Sequence, residues 1–191
     1  MAATAVMAAM AAMPPRTNEA DVPLATAFVG LGSNLAHPRR QIALALTRLA
    51  RLPASRLLAV SPNYRTAPVG ASGPQPDYVN AVAALATRLP PRALLARLQS
   101  IERRQHRVRG RGVPRNAART LDLDLLLFDG RRMRTPTLTL PHPRMHERAF
   151  VLRPLVDVAP AARIPGRGLA RMHLQRVRGQ SIVRTHARAL P

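Results

Sequence analysis

Arg119-Thr120-Leu121-Asp122-Leu123-Asp124-Leu125-Leu126-Leu127-Phe128 is an extended, mostly apolar segment that carries two carboxylates two residues apart. Side chains alternate along a β-strand, so Asp122 and Asp124 share one face and Leu121, Leu123 and Leu125 take the other. Adjacent carboxylates repel unless a positive group lies between them. A hard divalent cation is one solution, and Mg²⁺ commonly binds one or two carboxylates together with phosphate oxygens. The plainer alternative is a strand with a solvated acidic face. Against that alternative, the chain has 9 acidic residues and 30 basic ones, so two carboxylates on one strand are not background. Arg103, Arg104, Arg107, Arg109, Arg111, Arg115 and Arg119 precede or open the segment. Metal-holding carboxylates beside phosphate-holding arginines outline a site for nucleotide phosphoryl transfer.

Working outward, the segments upstream have clear periods. Ala25–Leu31 reads as a buried strand entering the Gly32-Ser33-Asn34 turn, which is read as a strand-to-helix connection in preference to an anion site. Pro38 opens a helix with Ile42, Leu46 and Leu49 on one face, ended by Pro53. Arg56–Tyr64 reads as a second strand and Tyr78–Thr87 as a third, joined by a Pro- and Gly-dense loop, Arg65–Pro76. Pro90-Pro91 opens a second helix running to about Arg107, striped by Leu94, Leu98 and Ile101. Downstream, Asp129-Gly130 marks a turn, followed by a small hairpin through Leu138–Pro143 and an apolar segment, Val151–Val158. Strand, helix, strand, strand, helix, strand is the ferredoxin-like βαββαβ order, an α+β fold with helices packed on an antiparallel sheet and a short extra hairpin.

Composition narrows the function. At 191 residues the chain suits one main domain. The expected division is a disordered extension over residues 1–22, a catalytic domain over 23–160, and a basic C-terminal helix and tail over 161–191. No cysteine is present, which excludes disulfides and thiolate metal sites. Lysine is absent too, so Schiff-base chemistry and a P-loop lysine are excluded. No apolar run reaches the roughly 20 residues needed to span a bilayer. The formal charge of +21 calls for an anionic partner. With three Phe, two Tyr and no Trp, single-strand stacking platforms are poorly supplied, and a small polyanion such as ATP meets the charge equally well. A basic nucleic-acid-binding module and a two-metal nuclease stand as the alternative readings.

The ordered landmarks Gly30-Leu31-Gly32-Ser33-Asn34, Tyr64-Arg65-Thr66-Ala67-Pro68, Pro76-Asp77-Tyr78-Val79-Asn80, Ile101-Glu102, Arg107-Val108-Arg109, Arg119-Thr120-Leu121-Asp122-Leu123-Asp124 and Pro141-His142, with Arg148 and Phe150, closely resemble the 6-hydroxymethyl-7,8-dihydropterin pyrophosphokinase family of folate biosynthesis. The resemblance runs from about Ala25 to Pro160. It implies a cytoplasmic, ATP-dependent diphosphotransferase that is monomeric and has neither a membrane partner nor a specific nucleic-acid partner. It implies two Mg²⁺ ions on Asp122 and Asp124, and catalytic roles for Arg107 and Arg119. Gln99, Glu102, Arg109, Leu125, Thr139, His142 and Arg148 are the implied ATP-binding residues. Thr66, Pro68, Val69, Tyr78, Asn80 and Phe150 are the implied pterin-binding residues. The resemblance also implies that the Arg65–Pro76 and Arg107–Ala118 loops close over the substrates. The sequence departs from some members at Asn116-Ala117-Ala118, where they carry a tryptophan, and at Pro143, where an aromatic can follow the histidine.

Overall fold

The computed structural model describes residues 23–70, 73–107 and 117–185. Its centre is strand β4, Tyr78–Thr87, buried along nearly its whole length. On one side β4 pairs with β1, Ala25–Ser33, which pairs in turn with β5, Asp122–Phe128. On the other side it pairs with β2, Ser55–Val60, and with β3, Asn63–Thr66. All pairings are antiparallel. Helix α1, Pro38–Ala50, links β1 to β2, and α2, Pro91–Arg104, links β4 to β5, which completes the βαββαβ core.

Two layers of helices sandwich the sheet. Below it, Ile42, Ala45 and Leu49 of α1 and Leu94, Leu98 and Ile101 of α2 pack on Ala27, Val29, Leu31, Ala83, Leu85, Leu123 and Leu125. This is the alternate set of strand residues that period-two reasoning puts on one face. The strands β6, Met133–Arg134, and β7, Thr139–Leu140, form the expected hairpin. Above the sheet, Val151, Leu152 and Leu155 of α3, Ala149–Val158, pack with Met145, Ile164 and Ala170 on Val82, Leu126 and Leu127. Among the described residues no helix is long and apolar enough to cross a membrane.

Two expectations change. The second strand is not continuous over Arg56–Tyr64: it breaks at Ser61-Pro62 into β2 and β3. Proline has no ladder N–H, and the Ser61 hydroxyl there accepts the Val82 N–H at 3.0 Å. The region after residue 160 is also more than a helix and a tail. It forms a short hairpin of β8, Arg163–Ile164, and β9, Gly168–Leu169, then α4, Ala170–Arg176, and then β10, Val183–Thr185, which adds an edge to β3.

Candidate active site

The upper sheet face is bare at one end, and the sequence explains why. Alternation on β1 turns Gly30 and Gly32 upward, so this part of the floor has no side chains. A Cβ on Gly32 would lie 3.4 Å from Asn80 Oδ1 and 3.8 Å from the Asp122 Cβ. Asn80 of β4 and Asp122, Asp124 and Leu126 of β5 complete the floor. The aspartates do share a face opposite Leu121, Leu123 and Leu125, which are buried in the lower core. The register between β1 and β5 shifts after Leu125, and past that irregularity both Leu126 and Leu127 belong to the upper core while Phe128 returns to the lower one.

Both oxygens of Asp122 are gripped by arginine: Arg107 Nη1 is 2.7 Å from Oδ1 and Arg119 Nη1 is 2.6 Å from Oδ2. Arg107 also donates to the Leu121 carbonyl at 2.8 Å and lies 3.6 Å from buried Glu102. Glu102 accepts the Leu123 N–H at 3.0 Å, so it braces both β5 and Arg107. It is not the surface ion-pair residue that a glutamate in a string of arginines suggests. Arg119 lies over the Tyr78 ring at 5.8 Å and donates to the Ala117 carbonyl at 3.1 Å. Its backbone N–H is held by Asn34 Oδ1 at 2.8 Å, while the Asn34 Nδ2 donates to Gln75 Oε1 and to the Pro76 carbonyl. The Gly32-Ser33-Asn34 segment therefore connects elements, and its amide ties together two loops beside the cleft.

Asp124 has no such grip. Desolvation on the cleft floor, then the charge of Asp122, raises its carboxyl to about 7, against an opposing pull from Arg148. His142 Nε2 is 3.9 Å away. Burial, reinforced by Arg148, lowers the imidazole to about 4, which leaves the ring neutral at pH 7. One carboxylate is thus matched by protein cations, and its neighbour is left short of positive charge.

Walls rise around this floor to form an open cleft. One wall is Thr66, which ends β3, with Ala67, Pro68 and Val69 after it; the other is Arg148, Phe150 and Val151 at the start of α3. All six expected pterin-binding residues line it, as do both aspartates, Arg119 and Arg148. Asn80 Nδ2 donates to Thr66 Oγ1 at 2.9 Å, which leaves its Oδ1 on the cleft side near Gly32. The Arg148 guanidinium lies 5.5 Å from the centre of the Phe150 ring. Sequence reasoning missed Arg144, which also lines the cleft. Its position two residues after His142 was the only signal available.

The expected nucleotide residues are more dispersed. Thr139 and His142 border a second, more open depression shared with Arg132, Arg134 and Arg167. Gln99 is half-buried on α2 and lines neither hollow. Leu125 requires a correction as a side-chain contact: it is 3 % exposed in the lower core, because alternation turns it away from Asp124. Arg109 lies outside the described residues, as do Ala71, Ser72 and most of the 107–118 loop.

The donor chemistry suits Mg²⁺. Among the described residues no group of three or more His, Cys, Asp or Glu is placed to hold a metal. A two-carboxylate set therefore needs phosphate or water oxygens to complete a shell, which is the usual Mg²⁺ arrangement. The raised Asp124 carboxyl is the counterpart of that shortage, since a cation there would favour its charged form.

The 7,8-dihydro-6-hydroxymethylpterin-pyrophosphokinase (HPPK) family model matches residues 28–160, more than half of the chain. The chain belongs to the HPPK family. It is 53% identical over 138 residues to the 2-amino-4-hydroxy-6-hydroxymethyldihydropteridine pyrophosphokinase of Pseudomonas aeruginosa, covering 72% of this chain and 83% of that one. The Haemophilus influenzae protein of the same name is 46% identical over 134 residues, covering 70% and 81%. In fold, the HPPK chain resembles Plasmodium falciparum HPPK-DHPS solved with pteroate, at a TM-score of 0.63 and 13% identity, covering 80% of this chain but 42% of that longer one. The HPPK landmarks and the cleft fall within residues matched by the family model, whereas α4 and β10 lie beyond them.

Proposed function

We propose that the protein transfers the diphosphate of ATP, as one unit, to the hydroxymethyl oxygen of 6-hydroxymethyl-7,8-dihydropterin and releases AMP. The observation that carries this reading is the meeting, in one cleft, of a pocket for a flat heterocycle with a carboxylate pair flanked by arginines. The pterin lies between the Thr66–Val69 wall and Phe150, whose ring stacks on it. Asn80, with its amide nitrogen committed to Thr66, turns Oδ1 toward the ring's N–H edge. The hydroxymethyl group then points at Asp122 and Asp124.

The nucleotide runs from the aspartates past His142 toward Thr139 and Gln99. Leu125 contributes through its backbone: its N–H lies two residues from that of Leu123, which faces away from β1 toward Glu102, so it points to the same outer edge of β5. Arg148 and Arg109 take phosphate oxygens, as does Arg144. Asp122 and Asp124 would hold two Mg²⁺ ions, whose charge offsets that of the triphosphate and of the acceptor oxygen. In the reaction a bond forms between the acceptor oxygen and the β-phosphorus, and the bond from that phosphorus to the α-phosphate oxygen breaks. Its electron pair leaves on AMP, and the hydroxyl proton passes to solvent. Arg107 and Arg119 exchange Asp122 for β-phosphate oxygens and stabilise the charge developing there. Apolar Pro68, Val69 and Val151 limit the entry of water, the competing acceptor. The protein acts as a monomer in the cytoplasm, a reducing compartment with which its lack of cysteine is compatible.

The test is nucleotide product analysis with ATP, Mg²⁺ and the pterin, for the wild type and for Asp122→Ala combined with Asp124→Ala. AMP formed only when pterin is present, and lost in the variant, supports the transfer. Folded wild-type protein that makes no pterin-dependent AMP overturns it.

A further inference from the structure

Helix α3 starts with Arg148 as its N-cap, whose own side chain makes no capping hydrogen bond. A free helix N-terminus leaves donors without partners. Here one is taken by a residue far along the chain: Gln180 Oε1 accepts the Ala149 N–H at 2.8 Å. The same amide donates from Nε2 to the Glu147 carbonyl at 2.7 Å. One side chain thus fixes the backbone on both sides of Arg148, at the foot of the wall that carries Phe150.

Just beyond Gln180 the chain enters β10 and pairs with β3, Val183 opposite Arg65 and Thr185 opposite Asn63. Thr185 Oγ1 adds a bond to the Asn63 carbonyl at 3.1 Å. β3 runs directly into Thr66 and the opposite wall of the cleft. A single short segment therefore touches the base of both walls between which the heterocycle is gripped.

We propose that Gln180–Thr185 is a clamp that sets the width of the pterin cleft, with Gln180 as its positioning residue. The proposal rests on the pterin reading above. Losing two hydrogen bonds of ordinary strength corresponds to a change of about five- to a hundredfold in an equilibrium the clamp controls, of which the low end is expected to reach the pterin. That change should fall on the pterin, which touches both walls. The clamp brackets one ATP-side residue, Arg148, so ATP, held also from β5, the β7 side and the other arginines, should feel the smaller change.

The test compares wild type, Gln180→Ala and Gln180→Glu in the full chain. It measures KM for each substrate, the Kd for pterin by fluorescence titration, and the melting temperature. The expected result is a pterin KM and Kd raised about five- to tenfold in Gln180→Ala, with ATP KM changed less than about twofold and Tm within a few degrees of wild type. Gln180→Glu keeps the acceptor for Ala149 and is expected to recover part of the pterin affinity. Unchanged pterin KM and Kd in folded Gln180→Ala overturn the clamp while the wild type still makes AMP. Equal losses for both substrates with a lowered Tm also overturn it, because they report general loosening. A wild type with no pterin-dependent turnover overturns both the clamp and the reading it rests on.

Discussion

The two faces of the sheet are built from the same strands and end up with different tasks. The lower face is closed along its length: α1 and α2 cover the alternate residues Ala27, Val29, Leu31, Leu123 and Leu125 with a continuous apolar layer. The upper face is covered only in part, by α3 and α4 over Val82, Leu126 and Leu127. Past them it turns to Gly30, Gly32, Asn80, Asp122 and Asp124. The same alternation that packs one face thus exposes the other. The difference teaches that this site is the unfilled remainder of a two-sided packing problem, held open by glycines and by groups too polar to bury unpaired.

The comparison is broken most severely at the carboxylates. Asp122→Ala with Asp124→Ala should lower kcat/KM by on the order of 10³-fold or more, while circular dichroism shows a folded protein. Leu98→Ala on the lower face should behave oppositely. Leu98 is fully buried, so the variant should lose about 2–5 kcal/mol in a denaturant titration, with kcat per folded molecule unchanged. Gly32→Val, which places a side chain against Asn80 and Asp122, should raise the pterin KM by about tenfold and leave Tm nearly constant. Arg144→Ala should weaken nucleotide binding by about fivefold, the loss of one modest charge-assisted contact, and should leave pterin affinity in place.

The smallest effect concerns the covered part of the upper face. His146 stands edge-on to His173 with ring centroids 5.9 Å apart, and its Nε2 is 3.2 Å from Glu147. Burial, then the charge of Arg167, lowers its ring below the ordinary value of 6.5, with Glu147 opposing and His173 adding to the shift. A lowered histidine resists protonation only when folded. Its contribution is therefore unchanged above pH 6.5 and becomes destabilising as pH falls from there toward the folded value. Chemical denaturation between pH 7.5 and 5 should show this loss, and His146→Gln should flatten that part of the profile.

Much of this division was legible beforehand. Tyr78–Thr87 was read to the residue because Asp77 and Arg88 bracket a run that is apolar apart from Asn80 and Thr87, and the common face of Asp122 and Asp124 followed from strand alternation. What escaped depended on contacts distant in sequence. Leu126 and Leu127 show no period that announces a register shift. Pro62 punctuates a strand only because Ser61 finds Val82 across the sheet. Arg144 carries no signal beyond its place two residues after His142 in a chain with thirty arginines. β10 is three residues of unremarkable composition, recognisable only once β3 is there to receive it. The buried task of Glu102 required knowing that α2 lies against β5.

Asn34 has a consequence of a mechanical kind. One end of its amide holds Gln75 and Pro76, and the other holds the backbone of Arg119, whose carbonyl in turn accepts the Asn34 N–H at 3.1 Å. A single planar group joins the segment that leads into β4 to the segment that leads into β5. The two cannot fluctuate as independent parts: a displacement of either pulls on the same pin. Amide hydrogens on both sides of the cleft mouth should therefore open together, with one shared rate, although they lie some forty residues apart in the chain.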